Sequence, residues 1–257
     1  MWKPLNPMIR DWHGLRVWII GGSSGIGYST AQALHLAGAS VVVSSRNTKE
    51  LDKFVAAHPS AQSLVLDATD ESSIKLASEH LLLHGPLDFV FYCAAKYSPM
   101  RAQSLNTNEI AQHLHVNYLG ACYALQSVLP HMLSRKSGHF SLVASVAGFS
   151  GLPFSLAYGP TKAALINLAE SLYIDCSPHG VGISVVNPGF VKTPLTSNNQ
   201  FPMPALITPS EAASYIVKGL AKGEFEIHFP KRFTLLLKFL RLIPYRFYFY
   251  LLRKVAS

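Results

Sequence analysis

The chain has 257 residues and a hydrophobic content of 49%, which is enough for one α/β domain with a large buried core. Its three cysteines are scattered without C-x-x-C spacing, which argues against a disulfide framework or a thiolate metal site and favours a reducing, cytoplasmic location. The net charge of +8 is concentrated in residues 231–257, which carry seven basic residues and no acidic one, so a broad nucleic-acid-binding face is not expected.

Short apolar runs rich in valine and isoleucine alternate with longer helical patterns along the chain. The predicted strands span residues 15–20, 40–45, 63–67, 87–92, 139–145 and 181–187. The predicted helices span residues 27–38, 71–85, 108–134 and 161–177. This alternation predicts one α/β domain over residues 1–230, a doubly wound parallel sheet of the Rossmann type with ligands at the carboxyl ends of its strands.

The first predicted strand runs directly into the glycine-rich sequence GGSSGIG and then into a helix. Glycines there permit a tight turn and a close approach of main-chain amides to a pyrophosphate, and the helix N-terminus adds partial positive charge. This context favours dinucleotide binding over a glycine-rich turn without a ligand. The loop residues predicted to contact the cofactor are Gly21, Ser23, Ser24, Gly25, Ile26 and Gly27.

The second predicted strand ends in Ser45 and Arg46, where an NAD-binding sheet usually offers a carboxylate to the ribose 2′-hydroxyl. An arginine there favours a 2′-phosphate and therefore NADP, although Arg46 would also suit a solvated turn. Asp67, at the end of the third strand, is a candidate acceptor for the adenine amino group, a cap for the following helix, or both.

The sequence YGPTK places Tyr158 and Lys162 four residues apart, with Pro160 between them. Proline is tolerated in the first turn of a helix, so we expect a helix that begins near residue 156 or 157 and holds both side chains on one face. A lysine ammonium and a nicotinamide cation would together lower the pKa of the phenol from about 10 towards neutrality. The spacing therefore predicts acid–base chemistry at Tyr158.

Taken together, the motifs over residues 15–193 resemble the short-chain dehydrogenase/reductase family. Besides the glycine loop, Asp67 and YGPTK, the resemblance includes Asn117 in HVNYLG, Ser145 in LVASVAG and the sequence NPGFVKT at residues 187–193. Their order along the chain is that of the family. The resemblance implies hydride transfer between a nicotinamide cofactor and a carbonyl compound, and a homodimer or homotetramer.

The resemblance also implies a role for each catalytic candidate. Tyr158 would be the general acid or base, and Ser145 would orient and polarise the substrate carbonyl. Lys162 would lower the pKa of the tyrosine and hold the nicotinamide ribose, while Asn117 would position a water in the proton relay. The cover over the nicotinamide would include Pro188, Gly189, Val191 and Thr193.

One motif departs from the family pattern. The family usually has NNAG after the fourth strand, whereas this chain has YCAA at residues 92–95, in which Ala94 still permits close approach of the cofactor. No third metal ligand accompanies His80 and His84, so we expect chemistry without a metal.

The last segment, residues 231–257, should form an amphipathic helical tail. Its predicted apolar stripe consists of Phe233, Leu236, Leu237 and Leu240, and its predicted polar side consists of Lys231, Lys238 and Arg241. Its uncharged run after Pro244 is far shorter than the roughly 20 residues that span a bilayer. We expect peripheral contact with the cytoplasmic surface of a membrane; the alternative is packing against the domain or a partner subunit.

Residues 190–209 should form a lid over the substrate, in which Phe201, Met203 and Leu206 suit an apolar molecule. The predicted function is NADPH-dependent reduction of a lipophilic ketone, and the glycine loop, SRN and the basic tail are broadly similar to those of 3-ketosphinganine reductases. The alternatives are a 3-oxoacyl thioester reductase, whose acidic carrier protein would meet the basic tail, and a dinucleotide-binding scaffold without turnover.

Overall fold

In the computed structural model, the described residues (3–197, 199 and 201–256) form a seven-stranded parallel sheet. The strands are β1 (Arg16–Ile20), β2 (Ser40–Ser45), β3 (Gln62–Val65), β4 (Phe89–Tyr92), β5 (His139–Val143), β6 (Gly182–Pro188) and β7 (Glu226–Phe229). Their order in the sheet is β3-β2-β1-β4-β5-β6-β7. The strand order reverses between β1 and β4, which opens a crevice at the carboxyl ends of these two strands.

Helices cover both faces of this sheet. They are α1 (Gly25–Leu36), α2 (Thr48–Ala57), α3 (Glu71–Leu83), α4 (Thr107–Leu114), α5 (Gly120–Arg135), α6 (Tyr158–Cys176), α7 (Pro209–Lys222), α8 (Lys231–Leu240) and α9 (Tyr245–Ala256). Buried side chains of α1, α2 and α7 pack on one face, and those of α3, α5 and α6 pack on the other. The predicted doubly wound fold is thus confirmed.

Strand β1 explains why the two faces have separate cores. Val17 and Ile19 point into one core, whereas Trp18 and Ile20 point into the other, as the two-residue period of a strand requires. All four side chains are fully buried. A strand that is apolar on both sides can only lie in the middle of a covered parallel sheet.

The six predicted strands are confirmed, but the sequence reading missed three elements: β7, α2 and α7. The helix predicted over residues 108–134 is confirmed, because α4, a π-helical turn at His115–Leu119 and α5 follow one another without a break. Three residues, Asn198 and Gln200 of the predicted lid and Ser257 of the tail, lie outside the described residues. The division between a domain of residues 1–230 and a tail of residues 231–257 stays a prediction.

Three residues of the predicted stripe in α8, Phe233, Leu237 and Leu240, are half-buried, and Lys231 and Arg241 of the predicted polar side are exposed. Leu236 and Lys238 depart from the predicted pattern. The helix buries Thr234 completely and turns Lys238, which we expected on the solvent side, towards Glu226 of β7. Leu236 of the predicted stripe is 55% exposed. Tertiary polar partners on β7, which the local pattern does not reveal, set the orientation of this helix.

Candidate active site

The glycine loop after β1 forms a tight backbone crossing at the strand-order reversal. Gly21 has a φ of +90°, and a Cβ atom there would lie 2.5 Å from the backbone nitrogen of Ala94, which follows β4. A Cβ on Gly27 would overlap the carbonyl oxygen of Gly21. Ser24 precedes α1 without a side-chain capping bond, and the first turn of α1 has no acidic residue. The unpaired amides of this turn can therefore bind an anion.

The other side of this cleft is formed by the ends of β2 and β3. Ser45, the exposed Arg46 and Asp67 all line it. Burial acts to raise the pKa of Asp67, but hydrogen bonds from Thr69 and the nearby charge of Arg46 outweigh this effect and lower the pKa. Asp67 does not cap α3, because Asp70 does so by accepting a bond of 2.9 Å from the amide of Ser72. Of our two interpretations of Asp67, the helix cap is wrong.

The cleft has a volume of about 410 Å³ and runs from the glycine loop to YGPTK. Nearly all predicted site residues line it; they are Gly21, Ser23, Ser24, Gly25, Ile26, Ser45, Arg46, Asp67, Ala94, Ser145, Tyr158, Lys162, Pro188, Gly189, Val191 and Thr193. The two exceptions are Gly27 and Asn117, which are buried and do not line the cleft. One cleft therefore joins the predicted cofactor residues to three of the four predicted catalytic residues.

Helix α6 begins at Tyr158, so Pro160 falls within its first turn as expected. Lys162 is one turn further along the same face, and its Nζ lies 5.4 Å from the centre of the Tyr158 ring. The hydroxyl of Thr161 donates a hydrogen bond of 2.7 Å to the carbonyl of Tyr158. The start of the helix thus presents a phenol and an amine side by side.

The surroundings of Tyr158 favour its protonated form. Burial raises the pKa of Tyr158 above its ordinary value of 10.0, and the hydrogen bond with Ser145 acts to lower it, while Cys93 and Tyr97 act to raise it further. The ring of Tyr97 meets that of Tyr158 edge-on, with centroids 5.0 Å apart. The protein alone therefore holds a neutral phenol, which is the form that donates a proton.

Lys162 is buried, and its Nζ has one hydrogen-bond partner among the described residues, the carbonyl of Val143 at 2.8 Å. Burial lowers its pKa from 10.5 to about 8, although Cys93 acts to raise it. An ammonium group has three donors, so two N–H groups are left for a ligand in the cleft that Lys162 lines. At neutral pH the group is still mainly cationic.

Asn117 is fully buried in the π-helical turn and is hydrogen-bonded to neighbouring protein groups. Its Oδ1 accepts a bond of 2.7 Å from the amide of Lys96, and its Nδ2 donates bonds of 3.0 Å to the Lys96 carbonyl and to Thr161 Oγ1. The side chain therefore fixes the segment after β4 against the start of α6. The predicted water-positioning role of its side chain is untested, and its contacts make it a positioning residue.

Tyr92 of the YCAA sequence anchors the π-helical turn. Tyr92 is fully buried, and its hydroxyl donates a hydrogen bond of 2.5 Å to the carbonyl of Val116 within the π-helical turn. A Cβ on Gly120 would collide with this hydroxyl. Tyr92 and Gly120 together hold the turn that carries Asn117.

The segment after β6 closes over the glycine loop. A Cβ on Gly25 would lie 2.9 Å from Cγ2 of Thr193, and the Thr196 hydroxyl donates 2.7 Å to the carbonyl of Val191. Leu195 and Thr196 line the cleft, although the sequence reading did not select them. Cys93 and Val116 also line the cleft and were not selected. The position of Cys93 directly after β4 and that of Val116 next to Asn117 could have indicated them.

A row of aromatic rings lies beside the lid. Phe201 stacks on Phe154 with centroids 5.5 Å apart, and Phe190 lies 6.1 Å from Phe201 and 5.8 Å from Phe233 of α8. Arg101 lies over Phe154 at 4.1 Å. The row gives the lid an apolar side between the catalytic segment and α8.

A family model described as short chain dehydrogenase matches residues 16–202. The chain belongs to the short-chain dehydrogenase family. An uncharacterized oxidoreductase of Myxococcus xanthus is 32% identical over 231 residues, covering 88% of this chain and 91% of that protein. A 3-dehydrosphinganine reductase of Danio rerio is 29% identical over 250 residues, covering 88% of this chain and 74% of that protein. A solved short-chain dehydrogenase from Streptomyces avermitilis shares the fold, with a TM-score of 0.81, 23% identity and coverage of 95% and 98%.

Members of this family are oxidoreductases that bind a nicotinamide dinucleotide, and the cleft fits one. The unpaired amides at the start of α1 suit its pyrophosphate, and the absence of a Cβ at Gly21 leaves room beside Ala94. Asp67 and Arg46 lie where the adenosine half would bind, and Lys162 and Tyr158 lie at the other end of the cleft. The expected enzyme class is thus confirmed at the level of a dehydrogenase or reductase.

Proposed function

We propose that this chain is an NADPH-dependent reductase of a lipophilic ketone, with a long-chain keto-lipid as the favoured substrate class. One observation carries the proposal. Tyr158, held neutral by burial and hydrogen-bonded to Ser145, lies with Lys162 at the end of the cleft opposite Arg46. A neutral phenol is the donor that ketone reduction needs, whereas alcohol oxidation needs a base.

A bound reduced nicotinamide would supply the hydride for this reaction. Ser145 would orient the substrate carbonyl, and Tyr158 would give its hydroxyl proton to the carbonyl oxygen as the new C–H bond forms, so that the ketone leaves as an alcohol. Lys162 would stabilise the tyrosinate left behind until it regains a proton. In this arrangement each residue acts on the atom that its position in the cleft can reach.

The preference for NADPH rests on Arg46. Within the described residues that line the adenosine end of the cleft, the carboxylate of Asp67 already accepts two hydrogen bonds from Thr69, and no carboxylate ends β2. Arg46 is exposed at the mouth of the cleft, where a guanidinium would pair with a 2′-phosphate. Because β2 does not end in a carboxylate, no negative charge at that position would repel the 2′-phosphate.

The lipophilic substrate is supported by the aromatic row of Phe154, Phe190, Phe201 and Phe233 along the lid. A substrate chain packed against these rings would be removed from water, and the burial of each CH₂ group would contribute about 0.8 kcal/mol to the free energy of binding. The relative from Danio rerio carries the name of a reductase that acts on a long-chain keto-lipid. These observations favour a long apolar ketone over a small polar one.

The test is NADPH oxidation measured with a long-chain 3-keto amine, a 3-oxoacyl thioester and a short ketone. Replacing Tyr158 by Phe should lower kcat by about 100- to 10,000-fold, the usual contribution of a general acid, and leave NADPH affinity unchanged. Replacing Arg46 by Ala should lower the preference for NADPH over NADH about tenfold or more through loss of a charge-assisted bond. Lys53→Ala, a cation on the exposed side of α2 that pairs with Glu50, is the control.

Full activity in Tyr158→Phe would overturn the assigned proton donor. Faster turnover of the thioester than of the keto amine would support the thioester reductase instead. NADPH binding without turnover of any ketone would identify a dinucleotide-binding scaffold. An unchanged cofactor preference in Arg46→Ala would remove the argument for NADPH.

A further inference from the structure

Helix α8 packs on the protein through Phe233, Thr234 and Lys238 and leaves three large apolar side chains exposed beside Lys231 and Arg232. Thr234 is completely buried, and Lys238 is turned towards the sheet, whereas Leu235, Leu236 and Phe239 are 55%, 55% and 61% exposed. A surface helix of a protein in water normally keeps such large apolar side chains on its buried face. The outward face of α8 is therefore suited to an apolar environment.

Specific contacts fix this orientation. His228 Nδ1 and Thr234 Oγ1 are hydrogen-bonded at 2.6 Å, and Lys238 forms an ion pair with Glu226. On the same side of the helix, Phe233 packs against Gly189. Because the inward side is held by a hydrogen bond, an ion pair and a ring contact, rotation of the leucines inward would break all three.

Helix α9 is also largely exposed. Only Tyr248 among its described side chains is buried, and its hydroxyl donates a bond of 2.7 Å to the carbonyl of Gly151 near the active site. Nine large apolar side chains in the described part of the two helices and their connection are exposed. Together they are Leu235, Leu236, Phe239, Leu242, Tyr245, Phe247, Phe249, Tyr250 and Leu251, which we call the tail surface. An exposed apolar surface of this kind marks an interaction site.

The charge of the tail identifies the partner. Residues 231–257 hold seven basic residues and no acidic one, whereas residues 1–230 hold 15 basic and 14 acidic residues. A second copy related by a two-fold axis would place this surface against itself and bring like charges together. An anionic lipid surface would instead pair with the cations and accept the apolar side chains.

We propose that the tail surface docks on an anionic phospholipid bilayer and lies on it without crossing. Within the described residues, no helix is long and apolar enough to span a membrane. The docked helices would rest beside the active site, because Phe233 and Tyr248 contact the segments that follow β6 and β5. The inference does not depend on the proposed reaction, and its test uses no substrate.

The experiment is co-sedimentation of the full chain with vesicles of phosphatidylcholine alone and of phosphatidylcholine with phosphatidylglycerol. The tested variant is Leu236→Glu with Phe239→Glu. The matched control is Leu36→Glu with Leu83→Glu, since these leucines are 78% and 85% exposed on α1 and α3 and the change in net charge is the same. Light scattering of each protein in solution reports its oligomeric state, and thermal melting reports its folding.

We expect the wild-type chain and the control to pellet with the anionic vesicles, and the tail variant to bind them about tenfold or more weakly, since two large apolar side chains are lost from the contact. Salt should weaken wild-type binding, because ions screen the attraction to the anionic headgroups.

Equal losses in the tail variant and the control would mean that net charge alone acts, and would overturn the proposal. Absence of wild-type pelleting, or equal pelleting with both vesicle types, would also overturn it. A tail variant that becomes monomeric while wild type is oligomeric, with no change in pelleting, would show that a second copy covers this surface instead.

Discussion

The cofactor end of the cleft and the C-terminal tail are built on opposite principles. Around the glycine loop, backbone atoms approach so closely that the positions of Gly21 and Gly27 have no room for a side chain. In the tail, side chains such as Thr234 and Lys238 determine which face of α8 meets the domain. The first region depends on glycines that lack a side chain, and the second depends on hydrogen-bonded and charged side-chain pairs.

This difference explains what each region can tolerate. Contacts between backbone atoms cannot relax when a methyl group is added, so the glycine loop should respond sharply to small changes. A helix on the surface can shift or fray at lower cost, and its outward side chains should matter little to the stability of the protein itself. Large effects are therefore expected at the glycine loop and small ones at the tail.

The largest effect is predicted for Gly27→Ala. Its new methyl group would overlap the carbonyl oxygen of Gly21, and displacing that backbone should cost about 3 kcal/mol or more. Because the displaced loop is the proposed pyrophosphate site, the Kd for NADPH should rise about 100-fold. Fluorescence titration with NADPH, with thermal melting alongside, measures both.

Gly151→Ala is the matched control, because a Cβ there meets no atom within 4 Å. It should bind NADPH as the wild type does. Wild-type affinity in Gly27→Ala would mean that the loop can relax, and the contrast drawn between the two regions would fail.

An intermediate effect is predicted for the stability contributed by Lys162 as pH changes. Burial lowers its pKa from 10.5 to about 8, so between these pH values the unfolded chain binds a proton that the folded chain has lost. Stability should therefore rise with pH across this window, and the group's contribution to the free energy of unfolding changes by about 3 kcal/mol. Below about pH 8 both states are protonated and the folded chain bears the full cost of burial.

Chemical denaturation of the wild type and of Lys162→Met at pH 8 and pH 10.5 isolates this contribution, since other titrating groups are common to both proteins. The wild type should gain stability relative to the variant as pH rises. If the free energy of unfolding changes equally with pH in the two proteins, Lys162 is not buried as a cation. This part of the cleft would then be more open to water.

Much of the cleft could be predicted because its signals are local. The glycine spacing, the end of β2 and the YGPTK sequence each lie within a few residues, and the parallel sheet then brings them to one edge. Asn117 was different: it does not line the cleft, and its side chain is bonded to Lys96 and Thr161, which are distant in sequence. A residue type and a motif do not reveal such partners.

The missed helices have physical reasons as well. Helix α2 spans only ten residues and buries only Leu51 and Phe54, so few apolar residues mark it in the sequence. Helix α7 follows a proline-rich stretch, but Thr208 and Glu211 form a capping box that the sequence already displayed. In α8, Lys238 departs from the predicted pattern because it pairs with Glu226 of β7, a partner that hydrophobic periodicity does not reveal.

The smallest effect is predicted for Thr234→Val, which tests whether polar pairs hold the tail. The substitution keeps the shape of the buried side chain but removes the hydroxyl bonded to His228 Nδ1, so the free energy of unfolding should fall by on the order of 1 kcal/mol. Hydrogen exchange should show faster opening of α8 with β7 unchanged. Leu235→Val on the outward face is the control and should change stability by less than about 0.5 kcal/mol. If Leu235→Val destabilises α8 as much as Thr234→Val does, the outward leucines pack on protein. Apolar packing would then hold the tail, as it holds the core, and the claim for the polar pairs would be wrong.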